Sequence, residues 1–171
     1  MKDFSYQAKV AVYPGSFDPI TLGHVDIVKR AINLFDKLII LVLKNYRKTP
    51  FFSINERINL IRKCLSNNPK IEIDNYSGLL VDYMKERNIK FIVKGLRAVS
   101  DFEYEFQQHM VNSKMLDVET IFFMTSPEYN YLSSSLVREI AFFDGDLSLF
   151  IPQEIIEDVK TKIAKFKQEK Q

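Results

Sequence analysis

Several things are scarce in this sequence, and each scarcity closes a route. A single cysteine, Cys64, occurs in 171 residues, so no internal disulfide and no all-cysteine metal site is possible. That usage fits a reducing, cytoplasmic setting. There are two histidines, His24 and His109, and no His/Cys cluster with ligand spacing. No apolar run is long enough to span a bilayer. The segment Met1 to Gln7 is polar and lacks the apolar core of a signal peptide. Charge of one sign is not in excess: 24 basic against 22 acidic residues leave a net charge of +2. A general nucleic-acid binder is therefore not expected, and basic residues matter only where they cluster. Neither a Walker-type glycine loop nor Gly-x-Gly-x-x-Gly is present, which disfavours P-loop kinases and dinucleotide oxidoreductases.

What is present reads as one globular α/β domain, residues 1–171, with ends frayed over about 1–6 and 167–171. Apolar residues make up 46% and charged residues 27%, a balance that suits a packed core. Ala8 to Tyr13 reads as a strand and Val25 to Phe35 as a helix that begins near Gly23 or His24. Lys37 to Leu43 is a continuous apolar run, as expected of a strand buried on both faces. Ser53-Ile54-Asn55-Glu56 is a capping-box pattern that opens a helix to about Leu65. Further strands are expected at Ile71–Ile73, Phe91–Val93 and Glu119–Met124. Helices are expected at Leu79–Arg87, after a second capping box at Ser100-Asp101-Phe102-Glu103, from Ser133 to about Phe143, and over Gln153–Phe166. In the helix after Ser100, Phe102, Phe106 and Met110 form an i, i+4 packing stripe. Strand and helix alternate five times, which predicts a doubly wound, five-stranded parallel sheet of Rossmann-like type. Ligands of such sheets bind beyond the carboxyl ends of the strands. The loops that leave those ends carry most of the polar chemistry.

The richest of these loops is Tyr13-Pro14-Gly15-Ser16-Phe17-Asp18-Pro19-Ile20-Thr21-Leu22-Gly23-His24. It joins a strand to a helix N-terminus, where free N–H groups and partial positive charge can receive a phosphate. His24 can aim its ring at that phosphate and stabilise charge growing on its oxygens. Gly23 lets a ligand approach the backbone. Ser16 either orients phosphates or serves the turn, and Phe17 packs on a nucleotide or in the core. Asp18 is expected to brace the loop through a local Asx-type turn. His109 reads as a structural or surface residue.

Lys44, Arg47 and Lys48 form a basic loop after the second strand, where the Lys48 ammonium suits a phosphate or is merely solvated. Lys94-Gly95-Leu96-Arg97 follows another strand. There Arg97 offers a planar donor fork and Lys94 a second positive charge. Glu105 either accepts from a ribose hydroxyl or purine amine or is a surface charge. Tyr129-Asn130-Tyr131-Leu132-Ser133-Ser134-Ser135 ends in a serine-rich helix start, and Arg138 lies on the same helix face as Ser134 and Ser135.

The first loop resembles the nucleotidyltransferase signature. With Gly95-Leu96-Arg97-Ala98-Val99-Ser100-Asp101-Phe102-Glu103-Tyr104-Glu105 and Ser133-Ser134-Ser135-Leu136-Val137-Arg138, nearly the whole chain is similar to the bacterial phosphopantetheine adenylyltransferase family. The resemblance implies a homohexameric cytoplasmic enzyme of coenzyme A synthesis. Such an enzyme transfers adenylyl from ATP to 4′-phosphopantetheine, giving dephospho-coenzyme A and pyrophosphate. It implies Mg2+ bound mainly through ATP phosphates, with no metal ligand from the protein. By motif, Ser16, Phe17, His24, Gly95, Leu96, Arg97, Glu105 and Tyr129 to Ser135 would contact ATP. Ser16, Lys48, Leu80 and Lys94 would contact phosphopantetheine, and His24, Lys48 and Arg97 would carry the chemistry. Ser16 stands where threonine is frequent and Lys94 where arginine is frequent. Two alternatives stand beside this reading. One is a transferase on the same scaffold with nicotinate mononucleotide or glycerol phosphate as acceptor, and the other is a nucleotide-binding protein without catalysis.

Overall fold

The structure, a computed structural model, describes residues 8–44 and 49–169. Lys48, Arg47 and the expected frayed N-terminal segment lie outside the described residues. Five parallel strands form one sheet: β1 (Val10–Gly15), β2 (Lys37–Leu43), β3 (Ile71–Tyr76), β4 (Phe91–Leu96) and β5 (Glu119–Met124), in the order β3-β2-β1-β4-β5. The helices are α1 (Leu22–Ala31), α2 (Ile54–Leu65), α3 (Leu80–Glu86), α4 (Val99–Met115), α5 (Ser134–Phe142) and α6 (Ile156–Glu169). The alternating α/β pattern and the parallel sheet are as the sequence implies. β1 runs two residues beyond Tyr13, β3 reaches Tyr76 where a turn was expected, and α6 continues to Glu169 with Lys167 paired to Asp144.

The central strands feed two cores because successive side chains point to opposite faces. Ala11, Leu38, Ile40 and Val42 face one core with Ile27 and Val28 of α1, Ile61 of α2, Val137 of α5 and Ile163 of α6. Val12, Ile39, Leu41 and Ile92 face the other, closed by Tyr83 and Met84 of α3. The register fits this division, since Val12 pairs with Ile39 on one side and Ile92 on the other.

α2 is capped as its sequence predicts: Ser53 Oγ accepts from Glu56 N–H, and Glu56 reaches back to Ser53 N–H. Cys64 lies on this helix, where burial, reinforced by the carboxylates of Glu154 and Asp158, pushes its thiol up to about 12. α4 departs from expectation. It begins at Val99 with Ala98 at the cap position and no side-chain cap, ahead of the expected Ser100 box. Asp101 accepts from Arg97 instead. The Phe102, Phe106 and Met110 stripe faces outward, 43%, 45% and 56% exposed. The less exposed positions of α4 are Asp101, Glu105, His109 and Asn112, so the helix turns a polar stripe inward and an apolar one outward.

Candidate active site

The chain leaves β1 towards β2 and β3, then returns to place β4 on the other side of β1. The loops after β1 and β4 therefore diverge and open a crevice at the strands' carboxyl ends, the switch point of an open α/β sheet. A cavity of about 790 Å³ sits there. Its walls include Ser16 and His24 from the first loop, Lys94 and Arg97 from the β4 loop, and Ser134 and Arg138 from α5. Side chains more than 100 residues apart in sequence thus meet at one site.

His24 owes its posture to a capping box at the start of α1. Thr21 is the N-cap and its Oγ1 accepts from His24 N–H at 3.4 Å. The His24 ring takes the part usually played by Glu or Gln: Nδ1 accepts from Thr21 N–H at 3.0 Å and lies 2.9 Å from Thr21 Oγ1. An Nδ1 that accepts an N–H carries no proton, so the neutral ring holds its proton on Nε2. Burial, with the nearby charge of Arg97, lowers His24 to about 4. At neutral pH the residue is an uncharged, oriented donor whose Nε2–H remains for the cavity. Phe17 packs edge-on against this ring at 5.1 Å and against Tyr13 at 5.4 Å. At 1% exposure, Phe17 offers a ligand little besides its backbone. Gly15 is required beneath it, since a Cβ there would stand 2.9 Å from the Phe17 ring.

Asp18 does not make the local Asx turn expected of it. Its carboxylate is buried and accepts from Phe51 N–H at 2.9 Å and Phe52 N–H at 2.8 Å, just ahead of α2. It also pairs with Arg138 at 3.3 Å, and Arg138 Nη1 donates to the Asp18 carbonyl. The partners lie in other elements, 33 to 120 residues away, which is why local turn reasoning missed them. Arg57 was missed as well. It lies on α2, 2% exposed, and its Nη1 donates to the Ser16 carbonyl at 2.7 Å. The sequence does carry a signal for it: Arg57 interrupts the apolar stripe of Ile54, Ile58 and Ile61.

The β4 loop is held differently. Arg97 forks onto Asp101, with Nε at 2.9 Å and Nη2 at 3.2 Å, and its Nη1 donates to the Leu132 carbonyl at 3.1 Å. Burial would raise the Asp101 carboxyl, but the hydrogen bonds and charge of Arg97 outweigh it and hold the group below the usual range. Lys94 Nζ lies 2.9 Å from Glu105 Oε2, which makes no aligned hydrogen bond. Gly95 packs against α1, where a Cβ would press on Ile27 at 3.1 Å. Ser133 caps α5 by accepting from Leu136 N–H, Ser134 donates to the Pro19 carbonyl, and Ser135 accepts from Arg138. The serine run therefore fastens α5 to the first loop while lining the cavity.

Of the residues singled out from the sequence, Ser16, Phe17, His24, Lys94, Gly95 and Arg97 line this cavity. Glu105, Tyr129, Leu132 and the three serines do so too. Leu96 is buried behind the loop. Asn130 and Tyr131 are not among the lining residues. Leu80 packs against the second core at the start of α3, away from this wall. Lys44, whose sequence signal was only a basic loop, joins the lining. Among the described residues no three His, Cys, Asp or Glu side chains converge as metal ligands.

Residues 12–140 match the family model described as cytidylyltransferase-like. Over 158 residues the chain is 58% identical to a phosphopantetheine adenylyltransferase of Caldanaerobacter subterraneus subsp. tengcongensis, covering 92% of this chain and 99% of the relative. It is 54% identical over 154 residues to the enzyme of that name from Clostridium tetani, covering 90% and 96%. It is 47% identical over 162 residues to that from Clostridium perfringens (strain ATCC 13124), covering 94% and 99%. With a braced first loop, an oriented histidine and clustered cations at the switch point, and with relatives matched almost end to end, the chain belongs to the phosphopantetheine adenylyltransferase family of cytidylyltransferase-like proteins.

Proposed function

We propose that the protein is a nucleotidyltransferase that moves the adenylyl group of ATP to 4′-phosphopantetheine, releasing pyrophosphate and forming dephospho-coenzyme A. The observation that carries this reading is that His24, Arg97 and the serine-capped start of α5 share one cavity with the first loop. An oxygen of the acceptor phosphate attacks the α-phosphorus in line, and the bond from that phosphorus to the pyrophosphate oxygen breaks. The attacking oxygen is already anionic, so neither a protein nucleophile nor a general base is needed. Catalysis is then positioning and charge stabilisation.

In this scheme the Nε2–H of His24 donates to an oxygen of the reacting phosphate. Arg97, leaving Asp101, and Arg138 hold the pyrophosphate side with the Ser134 and Ser135 region. Lys94 faces the acceptor, and Lys48 is assigned there from its loop position alone. Mg2+ would be coordinated by phosphate oxygens and water, as that ion commonly is, and would supply neutralisation of the triphosphate charge.

Assembly as a homohexamer is supported by the outward apolar face of α4, whose Phe102, Phe106 and Met110 would be covered by a second copy. A cytoplasmic setting follows from the proposed role in coenzyme A synthesis; among the described residues no helix is long and apolar enough to cross a membrane. The decisive experiment measures pyrophosphate release with phosphopantetheine, nicotinate mononucleotide and glycerol phosphate as acceptors. Release with the first alone is expected. Silence with it would defeat the assignment, and ATP binding without turnover on any acceptor would point to a non-catalytic role.

A further inference from the structure

We propose that Arg57 is a positioning residue for adenylyl transfer, which fixes the peptide group between Ser16 and Phe17 so that the Phe17 N–H is aimed at the triphosphate. The inference rests on the proposed function and adds a residue to its machinery.

Arg57 is 2% exposed and lies on the apolar stripe of α2. Burying a guanidinium is costly, and an apolar side chain of similar size commonly packs as well or better at such a place. Its Nε is buried with no hydrogen-bond partner. Packing therefore does not account for the charge; its bond to the Ser16 carbonyl, at 2.7 Å, does. A trans peptide is planar, with C=O and N–H pointing in opposite directions. A carbonyl drawn to Arg57 turns the Phe17 N–H away from α2. Among the described residues that N–H has no hydrogen-bond partner. Phe17 also sits at φ 46°, a left-handed conformation uncommon for an aromatic residue. Such a backbone persists when its surroundings over-determine it. The buried ring of Phe17 fixes one side of this peptide and Arg57 the other, leaving a single donor directed outward. Arg57 also borders the cavity and lies near the Asp18 charge, but at 2% exposure its hydrogen bond is to this peptide, and the KM readings below separate positioning from direct ligation.

The test compares wild type with Arg57→Met and Arg57→Lys. Pyrophosphate release is measured with ATP and 4′-phosphopantetheine each varied, alongside thermal unfolding. Folded Arg57→Met is expected to lose at least about tenfold in kcat with both KM values changed less than about threefold, the pattern of an interaction made in the transition state. Arg57→Lys, with one reachable donor but no fork, is expected to fall between them. Wild-type kcat in folded Arg57→Met would overturn the proposal. A loss seen only as a raised KM for one substrate would also overturn it, by making Arg57 a direct ligand. If Arg57→Met does not fold, Arg57→Lys decides by the same criteria. Should wild type prefer another acceptor, the assigned substrate fails while the Arg57 comparison is read with the acceptor it uses.

Discussion

Helices α2 and α4 both reach the active site, yet they are built in opposite senses. α2 turns its apolar stripe inward, places Arg57 inside that stripe, and has its approach fixed by Asp18 through Phe51 and Phe52. α4 turns Asp101, Tyr104 and Glu105 towards the site and Phe102, Phe106 and Met110 towards solvent, and none of its described side chains is fully buried. The first loop, leaning on α2, is thus a fixed mould. The β4 loop, leaning on α4, is a set of cations held by carboxylates, which under the proposed function an arriving phosphate would replace. A site that must grip a triphosphate firmly and still release pyrophosphate has use for both.

The contrast breaks most severely at Asp18. Asp18→Ala leaves two backbone N–H groups without their acceptor and Arg138 without its carboxylate partner, and a cost of about 3 kcal/mol is expected. In a chain of this size that lowers Tm by about 6–12 °C, and a calorimetric scan checks it. A smaller shift would mean that the first loop is not braced through this carboxylate. The next effect is on rate. His24→Ala removes one preorganised donor, and kcat should fall at least about a hundredfold. Unchanged turnover would take His24 out of the mechanism.

Acid gives a third, milder perturbation. The folded His24 holds its proton only below about 4, whereas the unfolded chain binds it near the ordinary histidine value of about 6.5. Between those values the unfolded state binds more protons, so stability falls as pH drops through the window from about 6.5 to about 4. A loss on the order of 2 kcal/mol is expected, and His24→Gln should flatten that part of the curve in denaturant titrations at several pH values. The smallest effect belongs to the exchangeable loop. Asp101→Asn disrupts a partly exposed pair worth at most about 1 kcal/mol, so Tm should change by no more than about 4 °C. With Arg97 released from its carboxylate, KM for ATP should fall by up to about fivefold, the factor that 1 kcal/mol represents. A KM that rises would show that Asp101 aims Arg97 rather than occupying it.

Much of this architecture could be read before any coordinates. The run Lys37–Leu43 is β2 residue for residue, and Ser53 with Glu56 marks the start of α2 as drawn. Both signals are local, depending on apolar continuity or on partners three residues apart. The site loops were legible for a related reason, because glycine, proline and hydroxyl residues between a strand and a helix are a short-range pattern. Relations that cross the fold were harder. Asp18 looked like a turn residue because its true partners lie on other elements, and Ser100 looked like a cap because the box motif fits while Asp101 is taken up by Arg97. The aromatic stripe of α4 has the right period for burial, but period alone does not say whether the covering surface belongs to the same molecule. Leu80 was carried by resemblance alone, and the structure packs it, partly buried, against the second core.

The thiol of Cys64 lends itself to a practical use. With burial and the Glu154 and Asp158 carboxylates holding its proton well above the ordinary thiol range, the reactive thiolate is scarce at pH 7. The sole cysteine of the chain is consequently expected to react slowly with alkylating reagents. An engineered cysteine at an exposed position such as Leu149 would take up a fluorophore or spin label selectively, with no need to remove the native residue first.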